Sequence, residues 1–198
     1  EPEPEPEPEP EAGERQRRGS AEAEERSPVI DKGISYARLL TIIITTSPTV
    51  SNPCTRLIAA IMRSFGMVDG LMPCRKIIVC DGFVCGTKSS YKKGRVTEDA
   101  VGAYQQYLRN LGSLIGTDPA FVHAELMLLE KRHGFSFAIR RALEVVDTRF
   151  VLVVQHDRLI TRPFDLGSVL RAFDAFPRSN GRSPVKYIAF QTRQCRSG

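Results

Sequence analysis

The chain has 198 residues, 41% of them hydrophobic, and a net charge of +5, which allows one medium-sized domain with its own core. No apolar run approaches the ~18 residues that a membrane-spanning helix needs, so we expect no membrane segment. The five cysteines are odd in number and no pair has CxxC spacing, which argues against a zinc site and predicts reduced, structural thiols.

The charge is divided unevenly along the chain. Residues 1–27 begin with a strict Glu-Pro repeat and contain ten Glu and four Arg, whereas the rest carries 24 Lys and Arg against 13 Asp and Glu. Because the first segment has almost no apolar surface to bury, we expect a disordered tail and linker at residues 1–36. We expect an α/β domain at residues 37–198, truncated at its C-terminal end. Its basic charge suits an anionic partner, which could be a nucleotide, a nucleic acid or a membrane surface.

The domain opens with a strand, a helix and a second strand. Residues 39–44 are a compact β-rich run that ends in a loop of small hydroxyl residues. Asn52 is a good N-cap, and apolar residues then recur at helical spacing as far as Phe65. Residues 76–80 form the second strand, which ends at Asp81. This strand, helix, strand order is typical of a parallel sheet.

Residues 83–96 lack any periodicity and are predicted to form a long, mobile loop. Loops of this length in compact domains often serve a function, and Lys92, Lys93 and Arg95 are candidates to contact a phosphate. Solvated surface charge is the alternative reading for each of them. Thr97 then caps a second helix, which has acidic residues in its first turn, where they suit the helix dipole.

The second half continues the alternation. Strands are predicted at residues 124–129, 150–154 and 186–190, and amphipathic helices at residues 135–146 and 166–176. The complete pattern predicts an α/β fold with a mostly parallel, open sheet of about five strands and helices on both faces, as in Rossmann-like proteins.

Polar residues follow four of the predicted strands. They are Thr45, Thr46 and Ser47 after the first, Asp81 after the second, Arg132 and His133 after the third, and Gln155, His156 and Asp157 after the fourth. Ligands of open parallel sheets bind at the carboxyl ends of the strands. Along a continued strand, Gln155 and Asp157 would point one way and His156 the other. The GxGxxG, GxxxxGK[ST], GxSxG and HExxH motifs are absent, which disfavours dinucleotide-binding dehydrogenases, P-loop NTPases, α/β-hydrolases and zinc proteases.

The order of these motifs resembles the GT-A fold of nucleotide-sugar glycosyltransferases, and is closest in layout to the family 2 type. In that family the second strand ends in Asp-Asp-Gly, where this chain has Cys80-Asp81-Gly82. A polar turn and glycine lead into a helix with an Ala-Arg pair, where this chain has Arg132-His133-Gly134 and then Ala138-Ile139-Arg140. The fourth strand ends in Asp-x-Asp, where this chain has Gln155-His156-Asp157. The resemblance covers about residues 39–190.

The resemblance implies a role for each matching position. The turn Thr45, Thr46, Ser47 and Pro48 would cradle the nucleoside, and Asp81 would bind the nucleobase or ribose. Arg132, Arg140 and Gln155 would also lie at the nucleotide-sugar site, with Arg140 near the diphosphate. Asp157 would coordinate a divalent cation, Mn²⁺ or Mg²⁺, with Gln155 or His156 as further candidate ligands, because the leaving diphosphate has to be neutralised.

Gln155 departs from the family pattern, because it replaces the first acid of Asp-x-Asp. An amide oxygen is a poorer cation ligand than a carboxylate, so metal affinity should fall. Three outcomes stay open: weak metal binding through Asp157, metal-free catalysis that uses Arg158 or the basic 83–96 loop, or a binding protein that has lost catalysis. The catalytic base would lie beyond this chain, and we expect no activity from the chain alone.

The expected function is therefore transfer of a sugar from a nucleotide-diphospho-sugar to a glycan, protein or lipid acceptor. The alternative is a catalytically inactive nucleotide-sugar or carbohydrate-binding module. A nucleotidyltransferase ranks lower because the chain lacks a glycine-rich turn after its first strand. A nucleic-acid-binding domain also ranks lower, since only Tyr91-Lys92-Lys93 combines an aromatic with clustered basic residues, and no nucleic-acid partner is expected. The compartment stays open between the cytoplasm and a Golgi or other membrane.

Overall fold

The computed structural model describes residues 35–174 and 186–190, so the predicted tail lies outside the described residues apart from its last two. The regular elements, in chain order, are β1 (Leu40–Thr46), α1 (Arg56–Ser64), β2 (Arg75–Cys80), β3 (Val84–Cys85), β4 (Arg95–Val96), α2 (Glu98–Thr117), β5 (Ala124–Leu128), α3 (Phe135–Leu143), β6 (Phe150–Gln155) and α4 (Leu166–Asp174).

The main sheet has four parallel strands in the order β5-β2-β1-β6. The chain adds β2 and β5 on one side of β1 and then returns to add β6 on the other side. The order of strands thus reverses beside β1, which is where open α/β sheets bind ligands, just beyond the strand ends. Thr45 of β1 lies opposite Gln155 of β6 in the register. The polar residues predicted at the ends of these two strands are therefore neighbours at the carboxyl edge of the sheet.

The sheet is covered on both faces, as predicted. On one face α1, α2 and α4 pack over alternate strand residues such as Ile42 and Ile44. On the other face α3 packs over Ile43, Ile77 and Val79. Strands buried on both faces read as continuous apolar runs, which explains the pattern of β1 and β2. The fold class inferred from the sequence is confirmed.

Lys76 is a charged residue in the interior of β2, and its side chain is fully buried. Its ammonium donates hydrogen bonds to the main-chain carbonyls of Met72, Cys74 and Val122, at 2.6, 2.9 and 3.0 Å. An ammonium has three N–H donors, so each one has an acceptor. Lys76 thereby ties the turn before β2 to the segment that enters β5.

The predicted fifth strand is wrong. Residues 186–190 are described and form no strand, and Tyr187 is largely exposed while the Phe190 ring packs 4.8 Å from Phe164. A β-rich composition makes a segment suitable for a strand, but a strand also needs a neighbour to share its main-chain hydrogen bonds. Among the described residues, β6 is the last strand on its side of the sheet.

Three other boundaries differ from the predictions. Helix α1 begins at Arg56, because the Asn52 side chain accepts the main-chain N–H of Thr49 and so closes its own turn. Helix α2, for which only the start was predicted, continues to Thr117. The 83–96 loop contains the short paired strands β3 and β4 and a 3-10 turn at Tyr91–Lys93, so it is not irregular throughout.

Candidate functional site

A cleft of about 250 Å³ opens at the carboxyl ends of β1, β2 and β6. We call it the strand-end cleft. It is lined by residues from these strand ends, the 83–96 loop, the turn before α3 and the first turns of α3: Thr45, Thr46, Ser47, Asp81, Gly82, Tyr91, Lys92, Gly94, Arg132, Gly134, Phe135, Ala138, Gln155, His156 and Asp157.

Most of the residues proposed from the sequence meet at this cleft. Its lining includes Thr45, Thr46, Ser47, Asp81, Arg132, Gln155, His156 and Asp157. Pro48 is buried beneath the turn after β1 and is not part of the lining, and Arg140 is exposed on α3, also outside it. Six of the eight residues proposed for nucleotide-sugar binding therefore line the strand-end cleft, and so do all three candidate metal ligands.

His156 lines the same cleft as its neighbours Gln155 and Asp157, although strand alternation predicted that it would point away. The reason is that β6 ends at Gln155, and the main-chain N–H of Arg158 bonds to the Gln155 carbonyl at 3.0 Å. The residues that follow Gln155 belong to a turn. Strand alternation does not apply there.

Asp81 is the most constrained carboxylate of the cleft. Its residue is only 7% exposed. Oδ1 accepts the main-chain N–H of His133 and Oδ2 accepts that of Gly134, both at 2.8 Å. These amides immediately precede α3, so the carboxylate lies beside the positive N-terminal end of that helix. A carboxylate oxygen has two acceptor sites, so each oxygen retains one for a ligand.

Gly82 allows the turn before α3 to come this close to β2. A Cβ at this position would lie 2.4 Å from the Lys131 carbonyl carbon and 2.7 Å from the Leu129 carbonyl oxygen. Both are main-chain atoms, which cannot move aside as a flexible side chain can. The Asp-Gly pair that follows β2 therefore fixes the position of the turn before α3. Asp81 accepts hydrogen bonds from this turn, and Gly82 leaves room for it.

Two tyrosines of α2 support the floor of the cleft. The Tyr107 hydroxyl lies 3.2 Å from Thr46 Oγ1, and the Tyr104 hydroxyl donates to the Asp81 main-chain carbonyl at 2.9 Å. Burial raises the pKa of both tyrosines, so both hydroxyls stay protonated. The hydroxyl of Thr46 is thus engaged with the protein, and Thr45 and Ser47 are the other hydroxyl residues of the lining.

Sequence reasoning missed part of the lining. Tyr91 was not proposed as a site residue, and Lys92 was only one of three basic candidates in its loop. The structure places Lys92 at the cleft, whereas Lys93 and Arg95 are outside its lining. Phe135 was also not proposed as a site residue, and it is 47% exposed and lines the cleft. Nothing in the local sequence distinguishes Lys92 from Lys93.

The residues of the cleft do not by themselves fit a divalent cation. Each oxygen of Asp81 has one of its two acceptor sites taken by a main-chain N–H group, Gln155 is neutral, and Asp157 Oδ1 lies 3.8 Å from Arg158 Nε. Within residues 35–174 and 186–190, no three His, Cys, Asp or Glu side chains gather as a metal site requires. The assignment of Asp157 as a metal ligand stays a prediction.

The comparisons with known proteins give one structural match. The chain is similar to a crystal structure of S. aureus TarS, with a TM-score of 0.44 and 16% sequence identity, over 75% of this chain and 23% of that chain. The chain thus spans about a quarter of the length of its match. No family model matches the sequence, and no curated protein matches it. Similarity at this level does not decide the function, which has to be argued from the cleft.

Within residues 35–174 and 186–190, no helix combines the length and the apolar character needed to cross a bilayer.

Proposed function

We propose that this chain is the donor-binding part of a glycosyltransferase that takes a nucleotide-diphospho-sugar. One observation carries the proposal: the polar ends of β1, β2 and β6 and the turn before α3 surround a single cleft, at the place where the strand order reverses. The motif order that resembles GT-A enzymes of family 2 is the second support. The acceptor, whether glycan, protein or lipid, binds outside the described cleft.

The composition of the lining suits a nucleotide. Thr45 and Ser47 offer hydroxyl groups, Tyr91 and Phe135 offer aromatic surface, and Lys92 offers a positive charge. Ligand sites typically combine apolar or aromatic walls with a few directed polar groups. At about 250 Å³, the cleft is slightly smaller than the ~300 Å³ at which sites for drug-sized ligands begin. It would therefore hold only part of the donor.

Asp81 keeps the role that the resemblance gives it, in a modified form. Its carboxylate is fixed by two main-chain N–H groups and cannot turn toward a ligand. The remaining acceptor sites of its oxygens can take a donor N–H or O–H from a nucleobase or ribose that enters the cleft. A fixed acceptor of this kind loses little conformational entropy on binding.

Gln155 favours a second candidate function, an inactive nucleotide-sugar-binding module. It stands at the acidic position of Asp-x-Asp and lines the cleft, so the site retains polar groups for binding but has one carboxylate fewer for chemistry. Measurement of donor hydrolysis and transfer by the longer protein separates the two. Binding without either reaction would favour the module.

A ligand screen tests the proposal. Thermal shift of the folded chain would be measured with UDP-, GDP- and ADP-sugars, with and without Mn²⁺. At least one donor should raise the melting temperature, because binding to the native state stabilises it by mass action. The absence of a shift with every donor, for a folded sample, would refute the proposal.

A pair of variants locates the binding. Ser47→Trp places a large ring in the lining of the cleft and should abolish the shift. Ser51→Trp is the matched control, since Ser51 is exposed and does not line the cleft. If both variants respond to the donor as the wild type does, the nucleotide binds elsewhere.

A further inference from the structure

The turn Tyr91–Lys93 carries Lys92, a residue of the cleft lining, on a backbone fixed by a defined set of main-chain bonds. The N–H groups of Lys93 and Arg95 donate to the Ser90 carbonyl at 2.8 and 3.2 Å, and Ser90 N–H donates back to the Arg95 carbonyl at 2.7 Å. The turn ends at Gly94, whose φ of 65° is left-handed and favours glycine. This internal bonding fixes the backbone on which Tyr91 and Lys92 are carried.

Arg132 connects this turn to the rest of the cleft by hydrogen bonds. Its guanidinium donates to the main-chain carbonyl of Lys93 and, at 3.0 Å, to that of Lys92. Gly94 makes room for it, since a Cβ there would lie 2.0 Å from Arg132 Nε. The guanidinium therefore bridges the turn before α3 to the 83–96 loop, and two of its donors are committed to main-chain carbonyls.

The Lys92 ammonium is a charge that this arrangement leaves available, whereas the positive Arg132 guanidinium already donates to two main-chain carbonyls. Lys92 is exposed and lines the cleft, and across residues 35–174 and 186–190 its side chain forms no ion pair. By contrast, the Asp81 carboxylate accepts one main-chain N–H on each oxygen, and Asp157 has Arg158 beside it. The cleft thus offers a free ammonium but no set of ligands for a divalent cation.

We propose that Lys92 neutralises the diphosphate of the bound nucleotide, so that the cleft binds nucleoside diphosphates without a divalent cation. The inference rests on the proposed function and specifies how that site handles charge. A lysine ammonium forms charge-assisted hydrogen bonds to phosphate oxygens as a point charge. Arg132 is a positioning residue in this scheme: it holds the backbone that carries Lys92.

The experiment measures dissociation constants of UDP, GDP and ADP, and of the matching nucleosides, by calorimetry in EDTA and in Mn²⁺. Diphosphate binding should persist in EDTA. Lys92→Met should weaken it about tenfold, which corresponds to the loss of one charge-assisted contact, and should leave nucleoside binding unchanged. Lys93→Met is the matched control, because Lys93 has the same charge and loop but lies outside the lining. It should change the diphosphate constant less than about twofold.

The outcomes are distinct for the two proposals. Diphosphate binding that requires Mn²⁺, or equal binding by Lys92→Met and wild type in EDTA, overturns the inference and leaves the proposed function standing. The absence of binding by every nucleotide under both conditions overturns both. Since the Lys92 side chain forms no hydrogen bond among the described residues, its loss should not lower the melting temperature.

A double-mutant cycle tests the positioning role of Arg132. Arg132→Met should weaken diphosphate binding in the wild-type background and have no further effect in the Lys92→Met background, because the two residues act through one contact. An additional loss in the double variant would show that Arg132 contacts the phosphate itself, which overturns the positioning role.

Discussion

The substitution Asp81→Asn separates the architectural role of this carboxylate from any role in binding. Asparagine keeps the shape of the side chain but replaces one acceptor oxygen with an NH₂ donor. In the structure both oxygens accept main-chain N–H groups, from His133 and Gly134. One of these N–H groups would then face another donor in a site where Asp81 is only 7% exposed.

The expected loss in the free energy of unfolding has two parts. A hydrogen bond to a charged group contributes about 1.5–3 kcal/mol, and an unsatisfied buried donor costs a similar amount. Removing negative charge from the start of α3 adds roughly 0.3–1 kcal/mol. These contributions overlap, so we expect a loss of about 3 kcal/mol in the free energy of unfolding. In a chain of 150–250 residues this corresponds to a melting temperature lower by roughly 6–12 °C.

Chemical denaturation followed by circular dichroism measures this loss directly. Asp147→Asn is the control, because Asp147 is an exposed carboxylate 3.9 Å from Arg75, and exposed pairs contribute ~0–1 kcal/mol. If Asp81→Asn costs less than 1 kcal/mol, the carboxylate does not hold the turn before α3 in the way described, and the reasoning is refuted.

Three further changes test other parts of the fold. Lys76→Met removes the buried donor of three carbonyls and should cost at least about 2 kcal/mol in denaturant titrations; a smaller loss would contradict that role. Gly82→Ala drives a Cβ into main-chain atoms, so it should destabilise the protein and weaken nucleotide binding, whereas Gly102→Ala in α2 has open space and should stabilise by about 0.5–1 kcal/mol; equal effects would contradict the close approach. Burial raises the pKa of the Cys80 thiol from 9.0 to about 12. The folded protein therefore retains a proton that the unfolded chain releases, and stability falls by ~1.4 kcal/mol per pH unit above 9. Cys80→Val should lose less stability between pH 7 and 10 than the wild type, while exposed Cys85→Val should match the wild type.

The sheet and its ligand-binding edge could be predicted from the sequence because the hydrophobic patterns of strands and helices are local and repeated. Strands buried on both faces give continuous apolar runs, as in β1 and β2, and the helices between them have their own period. Once the strands are parallel, their carboxyl ends share one edge. The polar residues Thr45, Asp81 and Gln155 therefore had to approach each other, whatever the details of the loops.

The sequence could not predict which residues of the 83–96 loop line the cleft, because tertiary contacts determine this. Lys92 and Lys93 are adjacent, identical residues, Arg132 bonds the carbonyls of both, and only Lys92 belongs to the lining of the cleft. Those bonds join residues about 40 positions apart. The failed strand at residues 186–190 has a related cause, since strand formation depends on a partner as well as on composition.

Gln155 and Lys92 both affect the charge that a bound diphosphate would meet in the cleft. A second carboxylate at position 155 beside Asp157 would repel a diphosphate unless a cation stood between them. With Gln155 that repulsion is absent, and the charge of Asp81 is stabilised by hydrogen bonds from the two amides that precede α3. In our proposal the Lys92 ammonium then supplies the positive charge that a divalent cation supplies in the GT-A pattern. The neutral residue that departs from the GT-A pattern is therefore consistent with retained nucleotide binding, and only the means of neutralising the phosphates differs.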